Sequence, residues 1–314
     1  MTTAPLRGHG PAAAAIAAAV PAEADVLATA VTPAAEVADA ADAAITTDNE
    51  PDASAAGTVL LTRNGGVATL TLSHPGKLNA LNVAMWLTLR HMLDDLSDDD
   101  SLRCVLLRGA DGNFAAGADI SEFPDQRGDL KSLMHYHDAI LAPALQAVAQ
   151  CKHPTVAAIQ GVCVGGGLEI AAHCDLRIAA RSSRLGVPIN RLGFSMAPGE
   201  MQGLLALVGR AVTLELLLEG RLLDADEAYA KGLLTRVVDD QALVAEAQRC
   251  VDRIAVGAPL AARINKDTVR RLSPEPAPLT EAERLACFAY WDSADHVEGV
   301  TAFLAGRKPV FSGR

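Results

Sequence analysis

Positive charge is scarce in this chain. Its 314 residues carry 27 Lys and Arg against 38 Asp and Glu, a formal net charge of −11. That balance speaks against nucleic acid as a partner, since phosphate backbones are held by basic patches. Long apolar runs are missing as well. No stretch reads as reaching the roughly 20 apolar residues that cross a bilayer, so no membrane partner is expected. The six cysteines (Cys104, Cys151, Cys163, Cys174, Cys250 and Cys287) form no C-x-x-C pair and share no zinc-like spacing with histidine. They read as reduced, mostly buried thiols of a cytoplasmic protein, and no metal site is expected.

The poorest region is residues 1–56. Its acids are Glu23, Asp25, Glu36, Asp39, Asp42, Asp48, Glu50 and Asp52, against the single base Arg7. Alanine dominates, punctuated by Pro11, Pro21, Pro33 and Pro51, and almost nothing large and apolar is there to bury. Such a segment cannot offset the entropy of ordering and reads as a flexible tail, with transient helix where alanine is densest, as over Ala34 to Ala44. A mitochondrial presequence is basic and poor in acids, which this segment is not; as a secretory core, Ala12 to Ala24 is short and weakly apolar.

Pattern begins near Val59. Two apolar runs, Val59 to Thr62 and Val67 to Leu72, flank Asn64-Gly65-Gly66 and predict a hairpin. Asn82 opens an amphipathic helix to about Leu96, with Met85, Leu89 and Leu93 or Met92 on one face. A strand over Arg103 to Arg108, a helix over Ser132 to Ala149, a strand over Thr155 to Ile159, a helix from Leu168 and a strand over Leu176 to Ala179 follow. After Pro198 the spacing predicts helices to the end. The order describes an α/β core with a helical C-terminal part.

Two loops of small residues stand out. The first is Gln160-Gly161-Val162-Cys163-Val164-Gly165-Gly166-Gly167-Leu168-Glu169, which follows an apolar, β-branched run and leads into helical spacing. Glycine lets backbone approach a ligand, and the free N–H groups of a helix start favour negative charge. The second is Asn113-Phe114-Ala115-Ala116-Gly117-Ala118-Asp119-Ile120, which follows the run Cys104 to Leu107. Either loop alone is equally a packing turn. Two of them on neighbouring strands can aim two N–H donors at one point, as an oxyanion hole requires.

These two motifs resemble the paired signatures of the crotonase superfamily, the enoyl-CoA hydratase/isomerase family. Lys77-Leu78-Asn79-Ala80-Leu81-Asn82, Gly232-Leu233-Leu234 with Val237-Val238, and Glu298-Gly299 through Phe303 to Arg307-Lys308 resemble further family segments in the same order. The resemblance runs from about Val59 to the C-terminus. It implies a spiral of β-β-α repeats over residues 57–250, and a C-terminal helical region over 251–314 that builds a homotrimer or a dimer of trimers. It also implies no cofactor, the coenzyme A thioester being itself the substrate.

By the same resemblance, Ala118 and Gly166 donate the oxyanion-hole N–H groups and Glu169 is a catalytic acid–base carboxylate. Lys77, Asn79 and Ala80 of the early loop, Ala116, Asp119 and Ile120 of the second loop, and Phe303 and Arg307 near the end lie against the CoA thioester, Phe303 on the CoA of a neighbouring subunit. The chain departs from the family where hydratases carry a second glutamate after a proline. In Gly186-Val187-Pro188-Ile189-Asn190 that position is Ile189, which moves no proton. Glu169 can act alone, Asn190 or Arg191 can position water, or Glu200 can lean in from the next helix. Because Pro198 suits a first helical position, Glu200 near position three reads first as a capping glutamate. The acyl pocket is expected from Phe123 and the helix of Leu133, Met134, Tyr136 and His137. His135 and His137 are expected to be ordinary helix-face residues, and His74 a loop residue. Hydration of a 2-trans-enoyl-CoA to a 3-hydroxyacyl-CoA through a thioester enolate is the leading expectation. Isomerase, hydrolase or decarboxylase chemistry, or acyl-CoA binding without turnover, remain as alternatives.

Overall fold

The computed structural model describes residues 56–273 and 279–313; the acidic, alanine-rich segment falls almost wholly outside them. Strand β1 (Thr58–Asn64) turns at Gly65-Gly66 into β2 (Val67–Ser73), the antiparallel hairpin that the Asn-Gly-Gly signal predicts. Beyond β2 the sheet is parallel. β3 (Cys104–Gly109), β4 (Thr155–Ile159), β6 (Leu176–Ala180) and β9 (Arg236–Val238) follow in that order. A smaller sheet joins β5 (Val162–Val164) to β7 (Arg184–Gly186) and β8 (Leu223–Asp224).

The chain winds by repeating one move. It lays a strand in the large sheet, crosses to the small one, then returns through a helix. β4, β5 and helix Gly166–His173 make one such turn; β6, β7 and helix Pro198–Glu219 make the next. The turn before them is vestigial, with β3 followed by a single bridge, Ala115 to Cys163, at the edge of the small sheet. This is the spiral of β-β-α repeats that the sequence resemblance implies.

Strand alternation explains the two faces of the large sheet. Val105 and Leu107 point into the main core with Trp86, Leu89, Leu145 and Leu168. Cys104 and Leu106 point the other way, onto Leu243, Ala247 and Val251 of helix Leu243–Ala255. Helix Val83–Asp98 starts where Asn82 accepts the Met85 N–H at 2.8 Å and buries Met85, Trp86, Leu89, Leu93 and Leu96. Each fully buried large side chain contributes about 1.5–3 kcal/mol.

Three expectations change. The helix predicted over 132–149 is interrupted: Leu130–His135 passes through a wide π turn, Tyr136–Leu141, into Ala142–Gln150. Pro143 is the physical reason, because its ring displaces the carbonyl one turn back and it offers no N–H. The region after Pro198 is not helical throughout, since β8 and β9 complete the two sheets. Finally, helix Pro198–Glu219 is long and apolar enough to cross a membrane, with a mean hydropathy of 1.5 over an 18-residue stretch. Glu200, Arg210 and Glu215 interrupt any continuous apolar run, which is why a search for runs passes it by. It is broken at Gly209, whose φ is +67°, and it buries Glu200, Gly203, Leu204, Thr213 and Leu216.

Candidate active site

The two glycine-bearing loops meet glycine to glycine. Gly117 has φ +104° and Gly165 has φ +50°, conformations that side chains rarely adopt. A Cβ on Gly165 would sit 3.6 Å from the Gly117 Cα, and one on Gly167 would sit 2.4 Å from the Ala115 carbonyl oxygen. Glycine is therefore required for the loops to close on each other. The Leu81 N–H donates to the Gly117 carbonyl at 2.7 Å and the Asp119 N–H donates to the Leu81 carbonyl at 2.9 Å. These bonds fix the Gly117–Asp119 segment while leaving the Ala118 N–H unspent. Gly166 opens its helix, so its N–H has no intrahelical acceptor. Among the described residues neither N–H has a partner, and both residues line one cavity of about 220 Å³.

Glu169 stands one turn into that helix and lines the same cavity at 5% exposure. Burial pushes its carboxyl well above the ordinary 4.5; the nearby Glu200 adds to the shift and Arg127 opposes it. The raised pKa favours the protonated carboxyl, the form that can give a proton. His173 Nδ1 is 2.7 Å from the Glu169 carbonyl oxygen. Burial lowers the pKa of that histidine, so it sits below the site as a neutral ring.

Glu200 is the second carboxylate of the cavity, at 4% exposure. Its helix begins at Ala197 without a side-chain cap, so Glu200 caps nothing. Its Oε1 instead meets His137 Nδ1 in a short, buried contact. The expectation that His137 is an ordinary helix-face residue is therefore corrected. The π turn that Pro143 imposes carries His137 inward, whereas His135 stays exposed. Ile189 lines the cavity too, as an apolar wall where a second glutamate was sought. Asn190 does not reach it: its amide donates to the Leu218 carbonyl at 2.9 Å. Arg191 lies on the wall but is otherwise exposed.

A further charged group went unnoticed in the sequence. Arg127 is 5% exposed and lines the cavity. Its guanidinium carbon lies 3.7 Å from the ring centroid of Phe123, 4.9 Å from that of Tyr136 and 5.0 Å from that of Phe194. Phe123 and His137 contribute to the cavity as expected. Leu133 does not; it packs with Ala197 and Phe288 in a separate cluster.

The residues assigned to CoA divide. Ala116, Ile120 and Phe303 line the cavity. Phe303 does so within its own chain. Helix Ala294–Leu304 docks on the turn at Leu192-Gly193, where a Cβ on Gly299 would meet the Leu192 carbonyl carbon at 2.5 Å. Asn79 is spent on the loop: it accepts the His74 N–H at 3.0 Å and donates to the Ala110 and Asn113 carbonyls, both at 2.9 Å. That clamp holds Leu78 and Asn79 at φ +47° and +59°. Ala80 is buried, and its carbonyl meets the His74 ring at 2.6 Å, which makes His74 a structural residue rather than a free loop side chain. Lys77 and Asp119 pair with each other at 2.8 Å, and Arg307 pairs with Glu298 through two bonds. None of these five lines the cavity.

The family model for enoyl-CoA hydratase/isomerase matches residues 62–314. A probable enoyl-CoA hydratase from Mycobacterium bovis is 34% identical over 263 residues, covering 82% of this chain and 98% of that protein. Among solved structures, an enoyl-CoA hydratase/carnitine racemase from Magnetospirillum magneticum is 46% identical with a TM-score of 0.68, covering 82% and 96%. Methylmalonyl-CoA decarboxylase in complex with 2-nitronate-propionyl-CoA is 29% identical with a TM-score of 0.73, covering 82% and 99%.

Proposed function

We propose a reaction from the premise that this chain belongs to the enoyl-CoA hydratase/isomerase family and is an acyl-CoA enzyme. The reaction is hydration of a 2-trans-enoyl-CoA. The thioester oxygen lies between the Ala118 and Gly166 N–H groups. The Glu200 carboxylate, oriented by His137, takes a proton from water as the water oxygen bonds to C3. The C2–C3 π electrons move onto the thioester, and the two N–H groups hold the enolate oxygen; one such donor is worth about 3 kcal/mol of barrier. The Glu169 carboxyl then protonates C2. Water has been added, and a proton returns from Glu200 to Glu169 through solvent before the next turnover.

One observation carries this reading. Two buried carboxyl groups, one with its pKa raised by burial, share a single cavity with two unspent backbone donors. Two carboxyl groups facing one cavity can divide the work of acid and base. Glu200 thereby takes the role that Ile189 cannot. The exposed Leu260, Val269 and Leu272 of helix Pro259–Leu272, which buries none of its residues, support the further proposal of a homotrimer or a dimer of trimers.

The test follows loss of the enoyl-thioester absorbance over a panel of short 2-enoyl-CoAs, with Glu169→Gln and Glu200→Gln beside the parent. Turnover by the parent and its loss in both variants is the expected result. A parent that binds the panel without turnover overturns the hydratase reading. Turnover that survives Glu200→Gln removes Glu200 from the chemistry.

A further inference from the structure

Arg127 is a buried cation of the cavity to which the hydration scheme gives no role, and no carboxylate among the described residues forms an ion pair with it. Its Nε and Nη1 are closed off from solvent and have no hydrogen-bond partner. Among the described residues it forms no ion pair: Glu200 is engaged by His137, and Glu169 lies near enough to feel the charge without pairing with it. A guanidinium stays charged in proteins, and a buried charge without a counter-ion is costly. The neighbours supply little beyond the Tyr136 hydroxyl, which interacts with the guanidinium. The guanidinium packs against the rings of Phe123, Tyr136 and Phe194, and the nearby cavity wall is apolar, with Leu141, Ile189 and Leu192.

Stacking of this kind uses the faces of the guanidinium, and Nη2, the nitrogen that is not closed off, is left at its edge to meet an anion. The cavity therefore carries a fixed cation beside the acyl site that forms no ion pair among the described residues. A CoA phosphate does not fit that place, because the cation sits among the side chains that surround Glu169 and Glu200, where the acyl group reacts.

We propose that Arg127 recognises a carboxylate on the acyl group, so that the preferred substrates are carboxyacyl-CoA thioesters. This deepens the acyl-CoA reading and rests on it. The enolate chemistry is unchanged; the second carboxylate anchors the acyl chain and neutralises the buried cation. A neutral acyl chain of equal length leaves Arg127 without its counter-ion and binds less well.

The experiment has a binding arm and a turnover arm. Binding of glutaryl-CoA and pentanoyl-CoA, which have equal acyl length, is measured by calorimetry with the parent, Arg127→Gln and Arg127→Lys. The parent is expected to bind glutaryl-CoA about 10- to 100-fold more tightly, as a charge-assisted hydrogen-bonded pair implies. Arg127→Gln abolishes that preference, and Arg127→Lys, which keeps the charge without the planar fork, retains part of it. In turnover, the parent's kcat/KM for 4-carboxy-2-butenoyl-CoA exceeds that for 2-pentenoyl-CoA by a similar factor, and the ratio collapses in Arg127→Gln. Equal affinity of the parent for the two saturated thioesters overturns the proposal whatever the variants do. So does an Arg127→Gln variant that weakens both equally, since that marks a packing role. Because the binding arm needs no chemistry, a parent that prefers glutaryl-CoA yet hydrates neither enoyl thioester upholds carboxylate recognition while the hydratase reading fails.

Discussion

The cavity has two walls built by different means. One is backbone: the loops around Ala118 and Gly166 leave strands β3 and β5, touch through Gly117 and Gly165, and present N–H groups. The other is side chain: Arg127, His137 and Glu200 converge from three separate segments and present charge. The backbone wall is local, since each donor and the glycine that frees it lie within a few residues. The side-chain wall exists only after the helices pack. The first wall is suited to a thioester oxygen that every substrate shares. The second is where the chain departs from a family pattern, and where substrate choice can vary without disturbing the enolate.

That contrast explains what was legible in the sequence. The hairpin, strands β3, β4 and β6 and the two small-residue loops are carried by contiguous residues, and the family resemblance on those same residues marks Glu169. The absence of a carboxylate at Ile189 was equally plain. Its replacement was not, because Glu200 reads as a capping glutamate. One signal argued otherwise: the residue at the cap position is Ala197, which has no side chain to complete a capping box. His137 depends on the π turn that Pro143 imposes, and Pro143 inside an otherwise helical pattern was the clue available. Arg127 had no comparable signal. Its burial follows from aromatic rings far apart along the chain, Phe123 and Phe194 among them.

The comparison can be broken most severely at its hinge, Glu169, which stands on the backbone wall and faces the side-chain wall. Glu169→Gln is expected to lower kcat about 1000-fold, within the range for loss of a positioned acid–base group. Steady-state hydration kinetics check this; a loss of less than tenfold would detach the residue from the proton transfer.

Next comes a change that leaves every charge and both N–H donors in place. Gly167→Ala puts a methyl 2.4 Å from the Ala115 carbonyl oxygen, so the loops must part. Displacing a reacting group by about 1 Å costs roughly 100-fold in rate, and such overpacking costs about 1–3 kcal/mol of stability. Kinetics with thermal denaturation should show both effects together. A variant with lowered stability and intact kcat would mean that the loop contact is structural alone.

The smallest effect is on stability against pH. Because the folded carboxyl of Glu169 is raised above 4.5, the native state holds a proton that the unfolded chain gives up there. The parent therefore loses stability as pH rises above that value, up to the native pKa. The slope is at most about 1.4 kcal/mol per pH unit, roughly 3 °C in Tm for a domain of this size. Glu169→Gln has no such proton, so its Tm should gain on the parent's with rising pH. Parallel profiles would contradict a raised carboxyl.

The central claim is that Glu200, coming from a different helix, supplies the carboxylate that Ile189 cannot. Its most direct measurement is the kcat and KM of Glu200→Gln for enoyl-CoA hydration, with the parent beside it. The account predicts a kcat lower by about 100-fold or more and a KM within a few-fold of the parent's, because Glu200 acts on water rather than on the bound thioester. A kcat within twofold of the parent's would contradict it, and would leave Glu169 as the only carboxylate in the reaction.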